Sequence, residues 1–187
     1  MDPKAVALEW SRILEAFYAS RKDAYEQAVR ACRQALGLGG KILVFGNGGS
    51  AAQAQHFAAE LVNKFLAVRP PIRAAALTTD TAVLTSIGND MSFAAVFRRQ
   101  IEALGETGDV ALALTTSGRS PNVLEGLAAA REKGMVTIAL TGGGGAAAAR
   151  AADILLDVPS TSTPRIQEIH LFLLHQLAED LESRLFS

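Results

Sequence analysis

The stretch KILVFGNGGSAAQAQHFAAE, residues 41–60, joins a short apolar run to an alanine-rich segment through a glycine turn. The run KILVF has the pattern of a strand that is buried on both faces, and the segment after the glycines has that of a helix. A buried strand followed directly by a helix is the start of a parallel βαβ unit. This stretch therefore predicts an α/β fold.

The same alternation continues along the chain. Further apolar runs read RAAAL, DVALAL, MVTIAL and DILLDV, and helical stretches lie between most of them. Five such strands joined by crossovers predict a five-stranded parallel sheet with helices on both sides, an α/β/α sandwich of the flavodoxin or Rossmann-like type.

Helical patterns flank this predicted sheet. Residues 4–36 carry apolar side chains at helical spacing and end in GLGG, which predicts one long helix or two consecutive ones. In the last segment, Thr163 is the predicted N-cap and Pro164 the first residue of an apolar helix that continues to Phe186. We expect a single domain over residues 1–187, in which N-terminal helices (1–38) precede an α/β core and C-terminal helix (39–187).

The composition excludes several classes of function. The chain has 187 residues, enough to bury a core without disulfides, and its net charge of −1 gives no general reason to bind nucleic acid or an anionic membrane. Cys32 is the only cysteine and is expected to be a buried structural thiol. No segment approaches ~18 consecutive apolar residues, and the N-terminus lacks the apolar core of a signal peptide. These features predict a cytoplasmic protein with no nucleic-acid or membrane partner.

In open parallel sheets, ligands bind beyond the carboxyl ends of the strands. After the first predicted strand come Asn47, Gly48, Gly49 and Ser50, at the start of a helix. Glycines let backbone N–H groups approach an anion, and the helix N-terminus adds partial positive charge. The spacing matches neither the dinucleotide fingerprint nor the P-loop, so nucleotide binding is disfavoured. Taken alone, the stretch is equally compatible with a phosphate-binding turn and a plain tight turn.

A second loop follows the strand DVALAL. Its hydroxyl groups surround a glycine at a predicted helix start, and they belong to Thr115, Thr116, Ser117 and Ser120. Capping that helix needs only one hydroxyl, so the pattern favours a phosphate site formed by hydroxyl and backbone N–H groups together. Arg119 is compatible either with an ion pair to that phosphate or with an ordinary solvated position.

A third loop, SIGNDMSF, presents Asn89 and Asp90 after a helical stretch. These residue types are common turn formers, and they are also suitable hydrogen-bond partners for the hydroxyl groups of a sugar. The sequence leaves both interpretations open.

Polar residues also interrupt two apolar helices. His56 and Glu60 are four residues apart and share one helix face, as in a surface ion pair. His175 lies in an apolar stretch, which is typical of a hydrogen-bonded core histidine. Together with Gln167 or Glu168, the three form a nitrogen and oxygen set suited to zinc. Spacing does not choose between the two, because Glu168 is nearly eclipsed with His175, whereas Gln167 is about 80° away and ~12 Å along the axis.

Four motifs in order carry a resemblance to a known family: FGNGGSAAQAQHFAAEL, LTSIGNDMSF, TTSGRSPNV and RIQEIHLFLLHQL. They resemble the sugar isomerase (SIS) domain, and more closely the phosphoheptose isomerases, which convert sedoheptulose 7-phosphate into D-glycero-D-manno-heptose 7-phosphate. The likeness covers nearly the whole chain. It implies a homotetramer with active sites at subunit interfaces, a zinc ion, and a role in heptose biosynthesis such as that of the lipopolysaccharide core.

By motif position, the resemblance implies that Glu60 and His175 are the acid and base pair. It implies the metal ligands His56, Glu60, Gln167 and His175, and so selects Gln167 where geometry did not. The implied substrate-binding residues are Asn47, Gly48, Gly49, Ser50, Glu60, Asn89, Asp90, Thr115, Thr116, Ser117, Ser120 and Gln167. The chain departs from the family at Thr115, where serine is common, and at Arg119, where asparagine is common.

Two other functions occur on the same fold. One is that of the DnaA initiator-associating proteins, which are scaffolds that lack the counterparts of Glu60 and His175. The other is a noncatalytic regulator that binds a sugar phosphate. Because this chain retains both residues, and a scaffold has no need of a proton-transfer pair, the sequence favours the isomerase.

Overall fold

A computed structural model describes residues 2–186 and contains one five-stranded sheet. All neighbouring strands are parallel, in the order β2-β1-β3-β4-β5. The strands are β1 (Ile42–Gly46), β2 (Ala74–Ala76), β3 (Val110–Thr115), β4 (Val136–Gly142) and β5 (Ile154–Val158). The predicted parallel sheet is confirmed, although the edge strand β2 is shorter than the run RAAAL.

Helices connect the strands and cover both faces of the sheet. They are α1 (Pro3–Gly37), α2 (Gly49–Val62), α3 (Thr81–Asp90), α4 (Val96–Leu104), α5 (Pro121–Glu132), α6 (Ala146–Ala151) and α7 (Thr163–Phe186). Successive strand residues point to opposite faces, so Ile42 and Val44 pack with α1, α2 and α7, whereas Leu43 and Phe45 pack with α4 and α5. This is the predicted α/β/α sandwich.

The N-terminal pattern forms one long helix rather than two. Asp2 caps α1 by accepting a hydrogen bond from the backbone N–H of Lys4 (3.0 Å), and Pro3 lies in the first turn. Cys32 is fully buried on this helix, and burial raises the pKa of its thiol to about 12, as expected for a structural cysteine. Within residues 2–186, none of the helices combines the length and the apolarity needed to cross a membrane.

Two boundaries differ from those predicted. Helix α7 begins at Thr163 rather than after it, and the carbonyl of Ser162 accepts the helical hydrogen bond from Ile166 N–H (2.9 Å). Asn89 and Asp90 form the last turn of α3 rather than a loop. Both shifts reflect the one- to two-residue uncertainty of helix ends read from local sequence.

Candidate active site

The topology places the two glycine-containing loops side by side. Strands β1 and β3 are neighbours, and the chain leaves them in opposite directions, toward β2 and toward β4. Such a switch point opens a crevice at the carboxyl ends of the strands. The N-termini of α2 and α5 both border this crevice, so two sets of backbone N–H groups and two helix dipoles favour an anion there.

A pair of asparagine side chains ties the two loops together. Asn47 Nδ2 donates to Asn122 Oδ1 (2.9 Å), and Asn122 Nδ2 donates to Asn47 Oδ1 (2.8 Å). Asn122 is 2% exposed, so this reciprocal amide pair is largely shielded from water. Sequence reasoning did not single out Asn122, because its role depends on β1 and β3 being neighbours.

The crevice contains a small polar cavity of about 70 Å³. Its lining comes from the turn after β1, the end of β3 and its loop, and α7: Asn47, Ser50, Leu114, Thr115, Thr116, Ser120 and Gln167. A second cavity of about 230 Å³ shares Thr116 and is lined also by Ser117 and Arg119. A larger cavity of about 720 Å³ lies between α1 and the segment after β5, but no predicted site residue lines it. We place the site at the small cavity because the polar groups converge there.

The hydroxyl loop after β3 is shaped by its own side chains. Gly118 N–H donates to Thr115 Oγ1 (3.2 Å), and Arg119 N–H donates to Ser117 Oγ (3.3 Å). Gly118 has φ +64°, and a Cβ there would lie 2.5 Å from Gly145 Cα, so only glycine fits. Ser120 occupies the N-cap position of α5, as predicted, but its side chain makes no capping hydrogen bond. The Ser120 hydroxyl is therefore available to a ligand.

Gln167 reaches the cavity because residue 49 lacks a side chain. A Cβ at Gly49 would lie 2.6 Å from Gln167 Nε2, closer than non-bonded atoms approach. Helix α7 is also tied to α2 here, since Gln53 Nε2 donates to the backbone carbonyl of Gln167 (2.7 Å). The glycine at the start of α2 thus makes room for a polar side chain from the last helix.

The side chains of His56, Glu60 and His175 come together between α2 and α7. The Nε2 atoms of His56 and His175 are 2.7 Å apart, and His56 Nε2 lies 3.5 Å from Glu60 Oε1. The ring of Phe65 stacks on that of His175, with centroids 5.5 Å apart and an interplanar angle of 28°. The sequence left open a surface ion pair on α2 and a polar set that includes His175, and the structure brings all three side chains together.

The two facing nitrogens restrict the protonation of this cluster. One imidazole must donate its N–H while the other accepts, so the two rings hold opposite tautomers when neutral. Within residues 2–186, no group of three or more His, Cys, Asp and Glu side chains is arranged as a metal site. The donors themselves suit zinc, but two nitrogens bound tetrahedrally at about 2.0–2.1 Å are ~3.3 Å apart, so the rings would have to separate slightly.

Several predicted residues lie outside this cluster. Asn89 and Asp90 are exposed at the end of α3, where Asn89 Nδ2 donates to Asp90 Oδ1 (2.8 Å), and neither lines the two polar cavities. Glu168 is ion-paired with Arg165 (2.7 Å). Arg119 is exposed at the rim of the second cavity.

The core histidine of α7 is His170 rather than His175. His170 is fully buried, and its Nε2 atom lies 3.1 Å from the backbone oxygen of Thr141. Burial lowers the pKa of His170 to about 4, outweighing that hydrogen bond, so the ring is neutral and donates from Nε2. His175 is partly exposed. His175 thus lies in the candidate site, whereas His170, five residues earlier on α7, is structural.

Comparison with known proteins gives concordant results. The family model of the SIS domain matches residues 8–142. A phosphoheptose isomerase of Desulfovibrio desulfuricans is 50% identical over 182 residues, 97% of this chain and 87% of that protein. One from Aromatoleum aromaticum is 58% identical over 146 residues, 76% of this chain and 74% of that protein.

Solved structures agree with the sequence comparison. The structure of a phosphoheptose isomerase from Neisseria gonorrhoeae superposes with a TM-score of 0.90 at 44% identity and covers 96% of each chain. Since both sequence and fold match over nearly the full length, the chain belongs to the SIS domain family and, within it, to the phosphoheptose isomerases.

Proposed function

We propose that this chain is an aldose-ketose isomerase that converts D-sedoheptulose 7-phosphate into D-glycero-D-manno-heptose 7-phosphate through an enediol. The observation that supports this most is the convergence of Glu60, His56 and His175 on α2 and α7, the two helices that also contribute Ser50 and Gln167 to the small polar cavity. In this role the enzyme supplies heptose biosynthesis, such as that of the lipopolysaccharide core.

The phosphate group binds at the small cavity. Ser120, Thr116 and Ser50 supply hydroxyl donors there, and the first backbone N–H groups of α2 and α5 supply the rest. A fixed phosphate holds the distant end of the sugar and so limits where its carbonyl end can lie. No side-chain cation lines the small cavity, so its donors are neutral dipoles.

Proton transfer falls to Glu60 and His175. Glu60 removes the proton from the carbon beside the carbonyl, the resulting carboxyl group exchanges that proton with solvent, and Glu60 then delivers a proton to the former carbonyl carbon, which moves the C=O by one position. His175 transfers the oxygen-bound proton, because an imidazole can accept a proton at one ring nitrogen and donate one. His56 lies between the two and hydrogen-bonds His175, so it fixes the orientation of the His175 ring.

We further propose that His56, Glu60, Gln167 and His175 hold a zinc ion. Imidazole nitrogen and carboxylate or amide oxygen are suitable ligands for it, and three of the four already lie together. When bound, the ion polarises the carbonyl oxygen and stabilises negative charge on the enediol. The Gln167 side chain lies at the small cavity, so its participation requires a rotation toward the histidines.

A homotetramer with active sites at subunit interfaces would give Asn89 and Asp90 a role. They are exposed at the end of α3, next to Met91 and Phe93, which are 58% and 64% exposed. Large exposed apolar side chains beside polar ones are typical of a subunit contact. There, Asn89 and Asp90 can bind the hydroxyl groups of a sugar in a neighbouring subunit's site. The location is proposed to be the cytoplasm, whose reducing conditions suit a lone unpaired cysteine.

The deciding experiment is incubation of the purified protein with sedoheptulose 7-phosphate in D₂O. An isomerase working through an enediol forms aldoheptose phosphate that carries deuterium at the carbon beside the carbonyl, which NMR detects. Binding of the sugar without turnover would favour a noncatalytic regulator, and neither binding nor turnover would favour a scaffold.

A further inference from the structure

A buried ion pair lies behind the candidate site, at the far end of α2 and α7. Arg69 Nε donates to Glu182 Oε2 (3.1 Å), and the two side chains are 2% and 7% exposed. Glu182 follows His175 by seven residues, two helical turns, and therefore lies on the same face of α7. Buried charges are costly, so such a pair needs an explanation beyond net stability.

The carboxylate of Glu182 holds the segment after α2 by its backbone. Glu182 Oε2 accepts from Phe65 N–H (3.1 Å), and Oε1 accepts from the N–H groups of Leu66 (3.0 Å) and Ala67. Desolvation raises the pKa of Glu182, but these donors and Arg69 lower it by more, so it lies below its ordinary value. The carboxylate is thus charged and serves as an anchor for this turn.

Arg69 holds the end of α2. Its Nη1 donates to the carbonyl of Leu61 (2.6 Å), and its Nη2 donates to the carbonyl of Glu60 (2.8 Å). These are two of the carbonyls that a helix end leaves without partners. One guanidinium therefore joins the backbone of Glu60 to the carboxylate of α7.

The anchored segment touches the other proposed proton-transfer residue through Phe65. The Phe65 amide is bound by Glu182, and the Phe65 ring stacks on the His175 ring at 5.5 Å between centroids. The Arg69–Glu182 network thus contacts the backbone carbonyl of Glu60 directly and the imidazole of His175 through the ring of Phe65. Nearer the N-termini of α2 and α7, Gln53 donates to the backbone carbonyl of Gln167. Hydrogen bonds therefore join the two helices on both sides of the His56–His175 contact.

We propose that Arg69 and Glu182 are positioning residues that set the separation of Glu60 and His175 by clamping segment 63–70 between α2 and α7. The proposal rests on the isomerase function proposed above. Because reacting groups displaced by about 1 Å can lose ~100-fold in rate, release of this clamp lowers kcat. The phosphate cavity lies at the opposite ends of α2 and α7, beside Ser50 and Gln167, so KM changes little.

The test combines kinetics with amide exchange. Glu182→Gln should lower kcat by about 10- to 100-fold and speed hydrogen exchange of the Phe65, Leu66 and Ala67 amides. The matched control is Arg184→Gln, also on α7, which removes part-exposed ion pairs with Glu26 and Asp180 and should change neither quantity. Unchanged exchange at those amides in Glu182→Gln would overturn the clamp whether or not the protein is an isomerase.

A second variant separates positioning from general stability. Phe65→Ala removes the ring that stacks on His175, and because Phe65 is only partly buried the variant is expected to fold. If Glu182 acts through Phe65, the double variant should lose little more kcat than either single variant, whereas losses in melting temperature should add. Multiplicative kcat losses, or an unchanged kcat in a folded Glu182→Gln protein, would overturn the proposal. An inactive wild-type protein would instead refute the isomerase function itself.

Discussion

His56 and His175 are 119 residues apart in the chain, yet their Nε2 atoms are 2.7 Å apart. The contact joins α2, which begins at the glycine turn after β1, to α7, the last helix of the described residues. Neutral imidazoles satisfy it with one donor and one acceptor, whereas two protonated rings would repel each other. The tautomer of each ring is therefore set by the other across this contact.

Glu60→Gln and His175→Ala should each lower kcat by about 10²- to 10⁴-fold, the usual contribution of a general acid or base. Sugar-phosphate binding should persist, because hydroxyl and N–H groups elsewhere form the small cavity. Isomerisation assays and calorimetry of sedoheptulose 7-phosphate binding measure the two effects. Glu179→Gln, an exposed change on the same helix, is the control. Retained turnover in both active-site variants would refute this assignment.

Zinc binding should depend on the histidine pair. Metal analysis of the purified protein should find stoichiometric zinc. His56→Ala should weaken zinc binding by more than the 10- to 100-fold that is typical of losing a residue that only hydrogen-bonds a metal ligand. Since the ion would bind only the folded protein, a chelator should lower the melting temperature of the wild type. The same chelator should leave the melting temperature of His56→Ala unchanged. Wild-type protein that melts identically with and without the chelator would speak against the metal.

Ser120→Ala should raise KM without altering stability. Its hydroxyl lines the small cavity but makes no capping bond, so its loss leaves α5 intact. A hydrogen bond to a charged phosphate contributes about 1.5–3 kcal/mol, which corresponds to an increase in KM of about 10- to 100-fold. Ser183→Ala on exposed α7 surface is the control. An unchanged KM would place the phosphate elsewhere.

Local sequence predicted the sheet because strand and helix signals alternate along most of the chain from residue 41 onward. Ser120 was placed at its N-cap for the same reason, since Pro121 marks the first turn of a helix. The periodicity of residues 4–36 did not distinguish one helix from two, because apolar spacing is the same in both.

Contacts between distant segments of the chain could not be predicted from local sequence patterns. Asn122, Arg69 and Glu182 resemble ordinary surface residues in the sequence, and each acquires a buried partner only when β1 meets β3 or α2 meets α7. The burial of His170, rather than of His175, has the same origin. Both lie among apolar neighbours, and only the packing of α7 on the sheet shows which one is enclosed.

The buried His170 should make the protein less stable in mild acid. Its pKa is about 4 in the folded chain, lowered by desolvation from an unfolded value of 6.5. Between these two pH values the unfolded chain binds a proton that the folded chain does not, so unfolding becomes easier as pH falls. The contribution of His170 to stability is complete above pH 6.5 and is lost progressively down to about pH 4.

His170→Gln isolates this effect, because a glutamine amide can still donate to the carbonyl of Thr141 but does not titrate. Urea unfolding at pH 7.5 and pH 5 measures the change in free energy for each protein. The wild type should lose about 2 kcal/mol more than the variant over this interval. All other ionisable groups are common to both proteins and cancel in the comparison. Equal losses would mean that His170 accepts a proton in the folded protein, and that its ring is therefore not enclosed between α7 and β4.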